Sequence, residues 1–261
     1  LAAEFADELD SLGVRVAALE KKSDNVKITG ELRYHYEDTT KDYAGYATKL
    51  RSRIWLTGQI NDGWKYTGML ENNENLKNDA GEETAKFQRA YVNGKIGGVA
   101  VQAGRYNAKL AEGNVYDTRF DGVQLSYGKD VKLVAGYGKA TPSSVNVRTF
   151  EDLPGDYYAE LSGKVGSLGL TAGYYDFKDV TEYEYNNATG KIGAADAKED
   201  MDIWALSANY AFGKDVTLGA MYLKGNDDIA ADDDGFVISA NYKGAKASQV
   251  GSWGLAAKYY D

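Results

Sequence analysis

Two stretches decide the fold: Val26-Lys27-Ile28-Thr29-Gly30-Glu31-Leu32-Arg33-Tyr34-His35-Tyr36 and Leu50-Arg51-Ser52-Arg53-Ile54-Trp55-Leu56-Thr57-Gly58-Gln59-Ile60. In both, the pattern repeats every two residues. Val26, Ile28, Gly30, Leu32, Tyr34 and Tyr36 share one face, and Lys27, Thr29, Glu31, Arg33 and His35 share the other. The second stretch sets Leu50, Ser52, Ile54, Leu56, Gly58 and Ile60 against Arg51, Arg53, Trp55, Thr57 and Gln59. Such alternation reads as a strand with one apolar and one polar face. Similar segments follow at about 64–71, 87–96, 99–106, 119–127, 131–138, 157–165, 168–176, 203–212, 216–225, 235–242 and 253–260. That makes thirteen candidate strands, most of 8–12 residues, the length that crosses a bilayer at a tilt. Parity is unclear only in 99–106, where Val99, Val101 and Ala103 share a face with Arg105.

The connections alternate in length. Asn61-Asp62-Gly63, Gly97-Gly98, Gly128-Lys129-Asp130, Gly166-Ser167 and Gly213-Lys214-Asp215 are hairpin turns by their chemistry. Between them lie long connections at about 37–48, 72–86, 107–118, 139–156, 177–202 and 226–234. Both prolines, Pro142 and Pro154, fall in one long connection, and none interrupts a strand. Short turns at one end and long loops at the other predict an all-β fold, an antiparallel transmembrane β-barrel of the porin-like kind.

Composition agrees. The 261 residues include 30 Gly, 21 Tyr and 2 Pro, usage suited to many strands joined by tight turns. With no cysteine and only His35, a disulfide framework, a thiolate metal site and a multi-histidine zinc site are excluded, and no metal or other cofactor is expected. A net charge of -9 argues against nucleic acid as a partner. No run of 18 apolar residues is present, so no transmembrane helix is expected. The mean hydropathy of -0.49 does not bear on a barrel, whose lumen-facing residues are polar. There is no signal-peptide pattern, so the numbering is expected to start inside a longer, processed chain. Thirteen is also an odd number. Since bacterial single-chain barrels have even strand counts, further strands are expected, sixteen in all.

Aromatic residues mark the strand ends. Tyr34, Tyr36, Tyr106, Tyr137, Tyr174, Tyr222 and Tyr259 adjoin long loops, while Trp64, Tyr127, Tyr210, Phe212, Tyr242 and Trp253 adjoin short turns. Two such rings resemble the girdles at the two faces of a membrane. Charge divides by region too. The long loops sum to -15 and residues 1–25 to -3, leaving +9 on strands and short turns. Six of the eight arginines (Arg33, Arg51, Arg53, Arg89, Arg105 and Arg119) lie within 27–127. Arg33, Arg51, Arg53 and Arg89 fall on the polar face, where arginines in a pore favour anions. Glu31, Glu71 and Asp121 are their expected partners, and selectivity is expected to lean modestly toward anions.

The first 25 residues follow a different rule. Ala2, Leu9, Val16 and Ser23 occupy heptad position a, and Phe5, Leu12, Leu19 and Val26 position d. Arg15 at g can reach Glu20 at e of a parallel neighbour. Gly13 costs about 1 kcal/mol against Ala, so this helix needs partners. One reading is an amphipathic helix packed on its own domain. The narrow stripe and its place ahead of the strands favour the other, a coiled-coil stalk over 1–25 with Phe5, Leu9, Leu12, Val16 and Leu19 as the oligomerisation seam and 26–261 as the barrel.

Other signals carry little. The run Asp232-Asp233-Asp234-Gly235, with Asp227 and Asp228, lacks the EF-hand spacing and reads as an acidic hairpin tip over 227–234. Asn187-Ala188-Thr189 is a three-residue match of the kind chance supplies. No carboxylate pair sits in an expected dry cleft, and an enzyme is not expected.

The run from Leu1 through Lys22 that precedes Val26-Lys27-Ile28-Thr29-Gly30-Glu31-Leu32-Arg33-Tyr34 resembles the OmpM-type outer-membrane porins of diderm Firmicutes. Arg51-Ser52-Arg53-Ile54-Trp55-Leu56, Arg89-Ala90-Tyr91-Val92 and Ala103-Gly104-Arg105-Tyr106 are similar as well. The resemblance implies a homotrimer in the outer membrane, in contact with its lipid and lipopolysaccharide and passing small hydrophilic solutes. It also implies a periplasmic coiled coil and an upstream S-layer-homology domain gripping peptidoglycan. The connection at 107–118 would fold inward and narrow the pore, with Glu112 and Asp117 facing the arginines and Arg105, Arg119 and Asp121 also lining it. A stalked trimeric adhesin without a conducting lumen is the alternative. Arg, Lys, Thr and Gln at lumen-facing positions, in place of bulky apolar plugs, favour the porin.

Overall fold

The computed structural model describes residues 26–39, 45–78, 84–141, 155–186, 191–225, 233–246 and 248–261. The expected stalk with Phe5, Leu9, Leu12, Val16 and Leu19, both prolines, the Asn187–Thr189 match and 226–232 of the acidic connection lie outside the described residues.

Thirteen antiparallel strands follow one another in chain order in one sheet. They are β1 (Val26–Thr39), β2 (Gly45–Asn61), β3 (Trp64–Asn75), β4 (Ala85–Ile96), β5 (Val99–Leu110), β6 (Tyr116–Gly128), β7 (Val131–Ala140), β8 (Asp156–Val165), β9 (Leu168–Asn186), β10 (Lys191–Phe212), β11 (Val216–Gly225), β12 (Asp234–Lys243) and β13 (Gly254–Tyr260). Each matches a strand expected from the alternation. The sole helical turn among the described residues is Ala111–Gly113. Several strands run further into the long connections than the alternation indicated. The expected loop at 177–202 is largely a β9–β10 ribbon, in which Lys191 pairs with Asn186 and the register shifts twice. The expected loop at 107–118 is the closing part of the β5–β6 hairpin. In β5 the apolar positions change face at Gly104, from Val99, Val101 and Ala103 to Tyr106, Ala108 and Leu110, so one alternation does not carry into the extension.

The chain divides into two compact units, one ending at Gly94 and one beginning at Lys95. In the first, Ile28 and Leu32 stand 66% and 70% exposed on the apolar face of β1, and Glu31, Arg33 and His35 occupy the other face. In the second, Leu125, Leu133, Leu161, Leu170, Leu206, Leu218 and Ile238 are exposed on one face. The opposite face holds its core, with Tyr106, Leu110, Phe120, Tyr158, Tyr175 and Phe177 buried. A sheet that turns these leucines outward and buries Tyr106, Tyr158 and Tyr175 on its other face is built for an apolar exterior.

Candidate functional site

In the first unit, cross-strand register assembles an arginine cluster. Glu31 of β1 lies opposite Arg53 of β2, which lies opposite Glu71 of β3; one step along, Arg33 lies opposite Arg51. All five share the polar face because directly paired residues point the same way. Arg51 donates to Glu31 at 2.6 Å, and Arg53 donates through Nε to Glu71 at 2.5 Å. A second nitrogen of Arg53 lies 3.6 Å from Glu31. Asn73 donates to the other oxygen of Glu71 at 2.7 Å, fixing that carboxylate from two sides. Arg89 of β4 pairs with Met69 on the same face, beside a bulge at Gln88 whose carbonyl accepts from Arg89. Arg51 and Arg53 thus meet two glutamates on a face that carries four arginines, two more positive charges than those two carboxylates. Setting Arg33 directly across from Arg51 is unfavourable in a sheet, so the surplus is not a product of strand pairing.

In the second unit, one hairpin lies across the sheet. Gly104, Gly122 and Gly138 form a cross-strand row on β5, β6 and β7. A Cβ on Gly122 would stand 2.3 Å from the Tyr137 carbonyl oxygen, and one on Gly138 2.2 Å from that of Asp121. Gly104 has φ +119°, a value L side chains rarely adopt. Only glycine allows this close, bent passage. Beyond the row, the hairpin leaves the line of the sheet. Strands lie about 4.8 Å apart, so side chains on β6 and β9 of a flat sheet would stand about 14 Å apart. Yet the rings of Tyr116 and Phe177 are 5.9 Å apart. At the tip, the Ala111 amide donates to Glu160 on β8 at 2.9 Å. Asn209 and Ser207 of β10 donate to Glu112 at 2.6 and 3.3 Å. Lys258 of β13 donates to Asn114 at 3.1 Å. The hairpin therefore crosses the face of β8–β13.

Aromatic packing holds it there. Phe120 meets Tyr158 edge-on at 5.4 Å and Tyr106 at 5.8 Å. The hydroxyls of Tyr106 and Tyr158 lie 3.2 Å apart, and Tyr158 donates on to Gln124 at 2.8 Å. Alternate residues Tyr106, Ala108 and Leu110, with Tyr116 and Phe120, are buried against the sheet. The other side of the hairpin carries Arg105, Asn107, Lys109, Asp117, Arg119 and Asp121. Arg105 grips Asp121 through two bonds of 2.7 and 2.6 Å, and Asn107 donates to Asp117 at 2.7 Å. Between tip and sheet is a pocket of about 490 Å³ whose lining includes Lys109, Glu112, Glu160, Ser207, Asn209 and Lys258.

On the opposite face of this unit, aromatic pairs mark both ends of the strands. Tyr174 packs with Tyr157 and Trp204 at one end; Tyr210 with Phe212, and Tyr242 with Trp253, at the other. From Trp204 to Phe212 the strand runs about 26 Å, with Leu206 between, a span close to the apolar band of outer-membrane barrels.

The sequence matches no protein-family model and no characterised protein sequence significantly. Solved structures do match. A loop L8 deletion mutant of OmpT, an outer-membrane protein of Vibrio cholerae, superposes with TM-score 0.54 at 15% identity, covering 90% of this chain and 81% of that one. OprB of Pseudomonas putida gives 0.53 at 14%, over 92% and 75% of the two chains. An anion-selective porin from Comamonas acidovorans gives 0.52 at 13%, over 90% and 78%. The chain has a porin-type fold.

Within this porin-type fold, the expected site residues separate into groups. Arg33, Arg51, Arg53 and Arg89 come together with the expected partners Glu31 and Glu71. Arg105, Arg119, Asp117 and Asp121 share the hairpin side turned away from the sheet, with Arg105 on its expected partner Asp121. Glu112 departs from expectation. It meets Asn209 and Ser207, not an arginine, because Ala111 and Glu112 take left-handed backbone at φ 49° and 58° and turn the side chain onto β10. Two further expectations are corrected. Tyr106 is buried at 0% exposure and does not belong to the outer ring, in which Tyr137 is 59% exposed. The inner face of the second unit also carries a bulky aromatic cluster where polar side chains in place of apolar plugs were expected. One signal pointed to it: Gly136 and Gly173 leave the space that the rings of Tyr158 and Tyr175 fill.

Proposed function

We propose that this protein is an outer-membrane diffusion porin that passes small hydrophilic solutes with a modest preference for anions. The observation that carries the reading is the arginine cluster on the polar face. Its arginines outnumber its glutamates, Arg51 and Arg53 are held in place by Glu31 and Glu71, and the apolar face of the same strands suits lipid. A charged face of this kind has little use in packing but supplies a field to ions in a water-filled pore. The porin of Comamonas acidovorans that shares the fold is described as anion-selective, the same sign. The hairpin across β8–β13 narrows the path in this reading, and Arg105, Arg119, Asp117 and Asp121 line the side of it that solutes pass. Glu112 lines the path from the hairpin tip.

The protein works as a homotrimer. Residues 1–25 form its periplasmic coiled coil, with Phe5, Leu9, Leu12, Val16 and Leu19 at the seam, and 26–261 belong to the barrel. The heptad pattern supports the stalk, and through it the porin helps tether the outer membrane to peptidoglycan by way of an upstream domain. Lipid and lipopolysaccharide are its surroundings, and the reading assigns it no catalytic step and no cofactor. Reconstitution of the purified protein in planar bilayers tests this. Discrete current steps are expected, with a reversal potential under a salt gradient on the anion side. A folded, membrane-inserted protein that gives no steps refutes the porin and leaves the stalked, non-conducting protein in its place.

A further inference from the structure

The pocket beneath the hairpin tip brings opposite charges together over a short span. We propose that it is a subsite for a small zwitterion of the amino-acid type, whose ammonium group meets Glu112 and Glu160 and whose carboxylate meets Lys258. The inference rests on the reading of the polar face as a solute path and names the class of solute that pauses there.

The lining contains two acids, Glu112 and Glu160, and two bases, Lys109 and Lys258. The acids are fixed in place before any solute arrives. Glu160 accepts from the Ala111 amide at 2.9 Å and from the Tyr175 hydroxyl at 2.8 Å, and Glu112 accepts from Asn209 at 2.6 Å. Lys258 is steered to the same tip by Asn114 at 3.1 Å. Only Gly113 lies between Glu112 and Asn114, so the backbone positions that carry Glu112 and the partner of Lys258 are at most about 7 Å apart. An amino acid has its own two charges about 3 Å apart, and a charge-assisted hydrogen bond of about 2.8 Å at each end brings the total to about 9 Å. The spans are comparable.

The remaining lining selects in the same direction. Ser162, Thr171, Ser207 and Ser239 add hydroxyls beside Tyr175 and Met221. A volume of about 490 Å³ holds a small amino acid together with its waters. A simple cation gains from Glu112 and Glu160 but is opposed by Lys109 and Lys258; a simple anion meets the converse. A neutral polyol gains nothing from the field. Only a solute carrying both charges is favoured at both ends, and the fixed partners spare it the entropy of ordering them.

The test is saturation-transfer NMR on the folded full chain in detergent, with glycine as probe against ethanolamine, acetate and glycerol. Glycine is expected to bind saturably and about tenfold tighter than the other three, a factor worth about 1.4 kcal/mol. Glu112→Gln and Lys258→Gln are each expected to weaken glycine about tenfold, while Lys258→Arg, which keeps the charge, retains it. Retention of heat-modifiable mobility shows that each variant is folded, and Lys258→Arg keeps the test decisive if Lys258→Gln is not. Ethanolamine or glycerol binding as tightly as glycine overturns the proposal, as does glycine binding indifferent to Lys258→Gln in a folded protein. Binding is read without current. A protein that conducts but does not bind glycine refutes the subsite alone, whereas one that never conducts refutes the porin reading beneath it.

Discussion

Replacing Arg51 and Arg53 with alanine removes two of the four positive charges that Arg33, Arg51, Arg53 and Arg89 present beside Glu31 and Glu71. The surplus on the cluster falls from two to zero. A unit charge acting through water on an ion about 8 Å away contributes about 0.5 kcal/mol before screening. At physiological salt that distance is one Debye length, which leaves about 0.2 kcal/mol. Two charges give about 0.4 kcal/mol, favourable to an anion and unfavourable to a cation, so the permeability ratio is expected to shift about fourfold toward cations. At about 10 mM salt the Debye length is about 30 Å, screening nearly vanishes, and the same change grows to more than tenfold. Conductance should rise too, since two long side chains leave the path.

The assay is the reversal potential of single channels under a salt gradient, measured at both ionic strengths. A matched control separates charge from shape. Arg51→Gln with Glu31→Gln deletes the 2.6 Å pair yet leaves the surplus at two, so its reversal potential should match the parent. Losing Arg53 leaves Glu71 at 10% side-chain exposure without its main partner, a cost of about 1–3 kcal/mol that a thermal melt will register. If the double alanine variant keeps the parental reversal potential at low salt, the arginines do not line the permeation path.

Gly122→Val places a side chain where a Cβ already stands 2.3 Å from the Tyr137 carbonyl oxygen, so the hairpin should lose its docking and conductance should rise, read as larger single-channel steps. Phe120→Ala removes the ring between Tyr106 and Tyr158 at a cost of about 3–5 kcal/mol, lowering the unfolding midpoint of the second unit in a denaturant titration. Leu206→Arg, at a 60% exposed position between the aromatic ends of β10, should destabilise by about 2–4 kcal/mol in lipid, as refolding into vesicles will show. Glu at both Leu12 and Leu19 should abolish interchain crosslinks through residues 1–25 and leave the barrel's heat-modifiable mobility intact; persistent crosslinks would show that the stripe is not an interchain seam.

The strands were legible because an apolar exterior forces strict alternation, as in Ile28, Leu32 and Tyr34 against Glu31 and Arg33. The first-unit site was legible for the same reason, since parity alone puts Arg51 and Arg53 on one face. What alternation could not convey is where a sheet folds back over itself. The residues beyond Gly104 continue in register with β6, yet one side of them is buried against strands far along the sheet. That contact depends on a bend at three glycines, and a bend leaves no period. Parity in 99–106 is ambiguous for the same physical cause. Below Gly104 the odd residues meet the apolar exterior, and above it Arg105 stands on a hairpin that has left the sheet. The destination of Glu112 was likewise set by two left-handed residues that no spacing reveals.

The two polar faces solve one problem in different ways. A group that acts on passing ions must remain charged and must not move to a neighbour when the salt changes. On the first unit this is achieved by pairing, with each of Arg51 and Arg53 held by a carboxylate on the adjoining strand while the arginine count exceeds the carboxylate count. Pairing of this kind weakens as salt rises, because the partners are partly exposed. On the second unit the hairpin is anchored by Tyr106, Phe120, Tyr158 and Phe177, whose buried contacts are insensitive to ionic strength. Docking Lys109 and Glu112 of that anchored hairpin against Glu160 of β8 and Lys258 of β13 keeps their spacing fixed while their fields are screened. Salt should therefore dilute the ion preference set by the arginines more readily than it disturbs the geometry under the hairpin. Reversal potential and glycine binding, followed together from low to high salt, separate the two. The first should decay within the range where the Debye length falls from about 30 to about 8 Å, and the second should lose affinity while keeping its rank order over ethanolamine, acetate and glycerol.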